Sequence, residues 1–380
     1  MKRIALFGAT GSIGRSALSV IQAHPEELQA VSLGANRNFD ALLSAARSCG
    51  AKRLLLADEA ASGKHPGLTL RCGAPAFEEE ADCGDYDILL CAIVGMGGLA
   101  PVLSALKRGK TVALASKEVL VSAGDLVMRA AKRYGASILP VDSEHSALFQ
   151  CLEHRDRKTV KKLILTASGG AFRDLTLPEL SQVTAKEALA HPVWSMGPKV
   201  TIDSASMMNK ALEMVEAHHL FQCGNGKLSV LIHRQSLIHS LILFRDGCEL
   251  ALISTPDMRL PIQYALSWPD RWSAPVAHLN LAKARHMDFA EPNAIQKIAL
   301  SFAREVIRQG GTSGAAMNAA NEVAVEYFTK GWIRFPDIWR IVEETLSCVP
   351  NRPQDCLETV LAADAEARQV ARKQAEMRKI

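Results

Sequence analysis

The sequence predicts an α/β fold in three parts: a Rossmann-like, doubly wound parallel sheet at the N-terminus, an α+β domain, and a C-terminal helical domain. Three observations carry this. Over residues 1–142 short apolar runs alternate with helical periodicity, the pattern of a parallel sheet covered on both faces. After Asp142 strand-like runs follow one another, two of them joined by a turn signal. From residue 294 the pattern is helical throughout. The segments are therefore 1–142, 143–267, a linker at 268–293, and 294–380.

In the first segment the expected strands are Ile4–Phe7, Ala30–Leu33, Arg53–Ala57, Ile88–Ile93, Thr111–Ala115 and Ser137–Val141. They are rich in Val, Ile, Leu and Ala without polar alternation, as doubly buried strands are. Arg15–His24, Phe39–Ser48, Leu99–Lys107 and Asp125–Tyr134 read as the intervening helices. In the second segment Val160–Ala167, Ser229–Ile232, Ile238–Phe244 and Leu250–Ile253 are strand-like, and Arg245-Asp246-Gly247 marks a hairpin. Antiparallel pairing is expected there. Residues 268–293 hold Pro269, Pro275 and Pro292 and little periodicity, hence the linker. Asp355–Ile380, with a narrow apolar stripe and many charges, reads as a surface helix.

Of the 380 residues 48% are hydrophobic, enough for a sizeable core, and the net charge of +4 gives no reason to expect a nucleic-acid partner. The nine cysteines are odd in number and include no Cys-x-x-Cys, so reduced thiols in a cytoplasmic protein are expected rather than disulfides or zinc. Met1-Lys2-Arg3 leads straight into the first strand, so no signal or transit peptide is expected. No uncharged apolar run approaches the roughly 18 residues of a membrane span.

Directly after the first strand comes Gly8-Ala9-Thr10-Gly11-Ser12-Ile13-Gly14, then a helix. Glycines permit a tight turn and close backbone approach to a pyrophosphate, and the helix N-terminus offers N–H groups. The strand–loop–helix context favours a dinucleotide site over an ordinary turn. The second strand runs out through Ser32-Leu33-Gly34-Ala35-Asn36-Arg37-Asn38. No carboxylate stands there for a ribose 2′-hydroxyl. Arg37 stands where a 2′-phosphate would lie; the alternative is a solvated surface residue, and the missing acid makes NADPH the stronger reading.

Asp142-Ser143-Glu144-His145-Ser146 follows the last strand of this segment. In an extended segment Asp142 and Glu144 would point the same way and converge as hard oxygen ligands for Mg²⁺ or Mn²⁺. A helix N-cap explains the same residues equally well. Further on, Thr166-Ala167-Ser168-Gly169-Gly170 ends a strand with a hydroxyl and two glycines, suited to phosphate. Residues 191–198, His-Pro-Val-Trp-Ser-Met-Gly-Pro, read as a loop whose Trp194 and Met196 are either core residues or part of a lid. In Thr201–Glu213 the polar residues Ser204, Asn209, Lys210 and Glu213 interrupt a helix able to be buried. Lys210 and Glu213, three apart, form either a surface ion pair or a phosphate ligand beside a metal ligand.

Taken in order, G-A-T-G-S-I-G at 8–14, S-K-E at 116–118, V-D-S-E-H-S-A at 141–147, S-G-G-A-F-R at 168–173, H-P-V-W-S-M-G at 191–197, D-S-A-S-M-M-N-K-A-L-E at 203–213, T-P-D-M-R at 255–259 and N-A-A-N-E at 318–322 resemble the 1-deoxy-D-xylulose 5-phosphate reductoisomerase family. The resemblance implies a homodimer converting 1-deoxy-D-xylulose 5-phosphate and NADPH to 2-C-methyl-D-erythritol 4-phosphate, an early isoprenoid step, with a divalent metal. It implies Asp142, Glu144 and Glu213 as metal ligands. Ser168, Ser204, Asn209 and Lys210 would hold the phosphate, and Ser143, Lys117 and His191 the substrate skeleton, with Trp194 and Met196 on a flap at 191–198. Lys117, Glu144 and His191 would be catalytic. Thr10, Gly11, Ser12, Ile13, Gly14, Asn36, Arg37, Asn38, Ser116, Glu118 and Gly197 would contact NADPH.

Two positions depart from the family pattern: Ser116 stands where an asparagine is usual and Asn36 where a glycine is common. Two rival readings remain. A semialdehyde-type NADP-dependent dehydrogenase would need an activated thiolate, and no cysteine here has that setting. A non-catalytic NADPH sensor would leave the three carboxylates without a role.

Overall fold

The computed structural model describes residues 1–59, 67–190, 194 and 196–380. By contacts the chain divides into two compact units. Met1–Val119, Val127–Ser146 and Asp257–Ala277 make the first; Leu120–Leu126, Ala147–Pro256 and His278–Ile380 make the second.

In the first unit β1 (Lys2–Phe7), β2 (Leu28–Ala35), β3 (Arg53–Leu56), β4 (Thr69–Cys72), β5 (Ile88–Cys91), β6 (Thr111–Leu114) and β7 (Ile138–Pro140) form a seven-stranded sheet. Its order is β4-β3-β2-β1-β5-β6-β7 and every pair is parallel. The order reverses at β1 and β5, so ligands are expected at the carboxyl ends of those two strands. Ile4, Ala5, Leu6 and Phe7 are fully buried, which explains the unbroken apolar run. The helices are α1 (Ser12–Ala23), α2 (Phe39–Cys49), α3 (Ala74–Cys83) and α4 (Leu99–Lys107). Two more helices, α5 (Lys117–Tyr134) and α6 (Ser143–Leu152), run through both units.

Three features differ from expectation. First, β4 and α3 were not predicted. β4 is a four-residue edge strand, and α3 buries Glu80 between Arg53 and Arg71, so charge interrupts its apolar face. Second, α5 starts at Lys117 rather than Asp125. Residues 117–124 are buried all round and Ala123 leaves helical geometry, which erases the one-sided periodicity. Third, α6 begins at Ser143 directly after Asp142.

In the second unit α7 (Leu177–Leu180), α8 (Ala185–Ala188), α9 (Pro198–Ala205) and α10 (Met208–Phe221) lie between β8 (Val160–Ala167) and β9 (Leu228–Ile232). With β10 (Ile238–Phe244) and β11 (Glu249–Ile253) these strands form a sheet ordered β11-β10-β8-β9. β10 is antiparallel to β8 and β11, but β8 and β9 are parallel, which corrects the purely antiparallel expectation. The helical connection from β8 to β9 is long enough for a crossover, which a parallel pair requires. Next, α11 (Arg259–Ser267) belongs to the first unit, where it packs on α1, β6 and β7. There Lys2 Nζ donates to the carbonyls of Leu266, Ser267 and Trp268 at its C-terminus, at 2.9–3.0 Å. The segment read as a linker carries α12 (Leu281–Ala284) and pairs Ala290 with Ile232. Finally α13 (Gln296–Gln309), α14 (Ser313–Thr329), α15 (Asp337–Cys348) and α16 (Leu357–Glu376) give the expected helical region. α16 keeps an outward charged face but buries Val360, Ala363, Ala367, Ala371 and Ala375, so it is more than a surface appendage.

Candidate active site

In the first unit the glycine loop sits where the strand order reverses. Gly8 N–H and Ala9 N–H both donate to the Gly34 carbonyl, at 2.9 and 2.8 Å, which ties the loop to β2. The loop leaves no room for side chains at two of its glycines. A Cβ on Gly8 would lie 2.4 Å from the Ala92 carbonyl oxygen, and one on Gly14 2.2 Å from the Gly8 carbonyl oxygen. Thr10, Gly11, Ser12 and Ile13 are exposed or half-buried at the N-terminus of α1. Gly11 caps that helix with no side-chain hydrogen bond and no acid stands in the first turn, so the positive end faces an incoming anion. Asn36, Arg37 and Asn38 follow β2 as exposed residues. Asn38 Oδ1 accepts from Ala41 N–H at 3.0 Å, so one of the three is committed to capping α2.

Ser116 is buried, and its hydroxyl donates to the Cys91 carbonyl at 3.2 Å. A side chain committed this way stitches the end of β6 to the end of β5. Lys117 and Glu118 open α5 and are also buried.

The extended backbone expected for Asp142 and Glu144 is not found, yet their carboxylate oxygens still converge, within 4.8 Å of one another. They do not alternate along a strand, because Glu144 lies in the first turn of α6. Asp142 Oδ1 accepts from Glu144 N–H at 3.2 Å, so Asp142 does act as a helix cap. Its carboxylate has further partners: Lys117 Nζ at 2.7 Å on Oδ2 and His145 Nδ1 at 2.9 Å on Oδ1. Burial pushes the Asp142 carboxyl up, but the Lys117 ammonium and the His145 ring outweigh it and hold the group well below the usual range. It is an anion in a cap that also carries a cation. Ser143 Oγ donates to Glu144 Oε2. His145 was not singled out from sequence. Its signal was the three-residue helical spacing from Asp142, visible only once α6 is known to start there.

In the second unit β8 ends in Ser168-Gly169-Gly170. Both glycines have positive φ, +84° and +74°, and Gly170 N–H donates to Ser168 Oγ at 3.3 Å. A Cβ on Gly170 would lie 2.4 Å from the Ser204 carbonyl oxygen, so the bare glycine lets this turn meet α9. The stretch 201–213 is not one helix. It breaks into α9 and α10 at Met207, whose φ is +61°, and the break starts α10 just before Asn209 and Lys210. The Lys210–Glu213 pair is buried rather than on the surface, at 3% and 1% exposure, and Asn209 Nδ2 also donates to Glu213. The turn, the break and the buried pair thus bring Gly170 against the Ser204 backbone, and Asn209 and Lys210 onto Glu213.

His191 lies outside the described residues, as do residues 192, 193 and 195 of the expected flap. Of the rest, Trp194 is half-buried with its ring 6.1 Å from that of His239, Met196 is half-buried, and Gly197 caps α9. Burial pushes the Cys91 thiol up and the Cys223 thiol up to about 11, so neither is an activated nucleophile.

Three family models match the chain. That of 1-deoxy-D-xylulose 5-phosphate reductoisomerase covers residues 4–124, that of its C-terminal domain 138–221, and that of the DXP reductoisomerase C-terminal domain 253–370. The reductoisomerase of Zymomonas mobilis subsp. mobilis is 46% identical over 375 residues, 97% of this chain and 96% of that one. That of Rhodospirillum centenum is 45% identical over 377 residues, 98% and 94% of the two chains. Among solved structures, the Zymomonas mobilis enzyme in complex with NADPH superposes with a TM-score of 0.92 at 44% identity over 99% of both chains. A DOX-P reductoisomerase with NADPH, fosmidomycin and magnesium gives 0.91 at 36% identity, again over 99% of both.

Proposed function

The chain belongs to the 1-deoxy-D-xylulose 5-phosphate reductoisomerase family, and we infer that it converts 1-deoxy-D-xylulose 5-phosphate and NADPH to 2-C-methyl-D-erythritol 4-phosphate with Mg²⁺ or Mn²⁺. The observation that carries this reading is near full-length identity of about 45% together with a glycine loop built for a dinucleotide.

The residues fit both groups the reaction needs. The open N-terminus of α1 and the cationic Arg37 suit the pyrophosphate and 2′-phosphate of NADPH, which supplies hydride to an aldehyde. Asp142, Glu144 and Glu213 offer only carboxylate oxygens, the donor set of a hard divalent cation, which supplies Lewis acidity towards the substrate carbonyl. In the chain itself, Ser168, Ser204, Asn209 and Lys210 hold the phosphate and so orient the reacting end. Lys117 neutralises Asp142 and offers an ammonium to the substrate skeleton, alongside Ser143 and His191. Residues 191–198, with Trp194 and Met196, act as a flap that excludes water, and Gly197 meets the cofactor. Thr10, Gly11, Ser12, Ile13, Gly14, Asn36, Asn38 and Glu118 complete the nucleotide site, while Ser116 holds β5 against β6 beneath it.

The protein works as a cytoplasmic homodimer. No helix among the described residues is long and apolar enough to cross a membrane. β11 is an outer strand of its sheet with Ile253 42% exposed, which supports that edge as the dimer surface. The test is NADPH oxidation with the deoxyxylulose phosphate, with and without Mn²⁺, on wild type and Glu213→Gln. Metal-dependent turnover is expected in wild type. A large loss is expected in the variant, partly restored by excess Mn²⁺, with NADPH affinity unchanged. Turnover after exhaustive chelation, or full activity in Glu213→Gln, overturns the metal site.

A further inference from the structure

The motif Asn318-Ala319-Ala320-Asn321-Glu322 has no role in the site as described, yet one of its side chains reaches the phosphate-binding segment of the second unit. Asn321 is fully buried on α14, and its Nδ2 donates to Asp203 Oδ1 at 2.8 Å. Asp203 is itself 1% exposed and takes a second partner from its own helix, Lys199 Nζ at 2.7 Å. Its neighbour in the chain is Ser204. Three residues on, the chain reverses at Met207. There the Ser206 carbonyl accepts from Trp339 Nε1 of α15 at 2.9 Å, while Ser206 Oγ donates back to the Ile202 and Asp203 carbonyls. Two buried side chains from the C-terminal helices therefore grip the α9–α10 junction, one on each side of Ser204-Ala205.

The grip is directional. Asn321 Oδ1 is buried and has no hydrogen-bond partner among the described residues. An apolar residue of similar size would avoid burying that oxygen but would take a donor from the buried Asp203 carboxylate, so the asparagine acts through Asp203 rather than through its own packing. What it does provide is a directional donor aimed at one carboxylate oxygen. That bond fixes the rotation of α9 about its axis, and with it the direction of Ser204 and the starting point of α10, which carries Asn209 and Lys210.

We propose that Asn321 is a positioning residue for phosphate recognition, acting through Asp203 on the Ser204, Asn209 and Lys210 set. The inference rests on the proposed function for the identity of the substrate. It predicts a loss confined to the phosphate end. In Asn321→Leu and Asn321→Asp the KM for 1-deoxy-D-xylulose 5-phosphate should rise roughly tenfold or more, and inhibition by inorganic phosphate should weaken in parallel. kcat should change less, and the Kd for NADPH should stay within about twofold.

The exchange Asp203→Asn/Asn321→Asp rebuilds a carboxylate–amide pair of the same shape. It should recover most of the lost substrate affinity. Asn321→Leu adds no charge, so the test stands even if two adjacent carboxylates unfold Asn321→Asp. Unchanged KM and phosphate inhibition in Asn321→Leu overturn the proposal. So does an exchange variant that regains thermal stability but not KM, because that outcome marks a structural contact only. Wild-type turnover in the same assay reports separately on the proposed function.

Discussion

Replacing Gly170 with alanine tests whether the close approach of the Ser168 turn to α9 matters for substrate. Two costs add. At φ +74° a Cβ is strained by about 1–2 kcal/mol. It would also lie 2.4 Å from the Ser204 carbonyl oxygen and 2.7 Å from the Ala205 Cα, where real contacts are beyond 3.0 Å. Forcing backbone apart in a packed region costs about 1–3 kcal/mol, so the expected total is about 2–5 kcal/mol. Gly247 supplies the control. Its φ is +91°, in the hairpin turn, and nothing lies within 4 Å of where its Cβ would stand, so Gly247→Ala carries only the backbone cost. The assay is urea unfolding of both variants beside KM for the phosphorylated substrate. If Ser204 yields to the methyl group, a hydrogen bond to a charged phosphate is lost, about 1.5–3 kcal/mol or roughly ten- to hundredfold in affinity. Gly170→Ala should therefore unfold earlier than Gly247→Ala and bind substrate worse, while NADPH affinity is retained. Equal destabilisation in the two variants with unchanged KM would falsify the close-approach argument.

Three other outcomes are expected. Lys117→Met strips the cation from a pair whose side chains are 10% and 11% exposed. With His145 still on Asp142, denaturant unfolding without metal should show a loss of about 2–4 kcal/mol, and a change near zero would contradict the pairing. Arg37→Ala should weaken NADPH by roughly ten- to hundredfold and leave NADH nearly unaffected; equal losses for the two cofactors would remove Arg37 from the 2′-phosphate. His219, packed on Gly124, has its imidazole pushed down to about 4, first by burial and then by His218, against the opposing pull of Asp125. The unfolded chain then binds the extra proton between about pH 6.5 and 4, so stability is complete above that window and falls by about 3 kcal/mol on acidification through it. His219→Gln should flatten this limb, and an unchanged pH profile of the urea midpoint would refute the assignment.

How far the sequence speaks depends on how local the cause is. β1, the glycine loop and α1 were legible because a buried strand, a turn without room for Cβ atoms and a one-sided helix each mark their own residues. α3 was not, since its inward Glu80 is sensible only with Arg53 and Arg71 beside it, and those come from two other strands. The first half of α5 was hidden for the opposite reason: burial on every side leaves no polar face to set the period. At Asp142 the sequence left two readings open, an extended pair of ligands and a helix cap. Capping and ligand chemistry both favour a carboxylate at that point, so sequence alone could not decide between them. The structure shows the cap: Asp142 Oδ1 accepts from the Glu144 N–H and His145, and Oδ2 accepts from Lys117.

Lys210 and Glu213 show why chemistry and stability point in different directions here. Three residues apart on an exposed helix, such a pair would be a weak contact worth a few tenths of a kcal/mol. At 3% and 1% exposure both charges have lost most of their hydration, and an apolar pair of the same volume would be as stable or more so. Asn209 adds a further donor to the same carboxylate. A fold selected for stability alone has no use for a lysine, a glutamate and an asparagine in that position. The proposed phosphate site does, because an ammonium and an amide already placed by a buried carboxylate need little reorganisation when the substrate arrives.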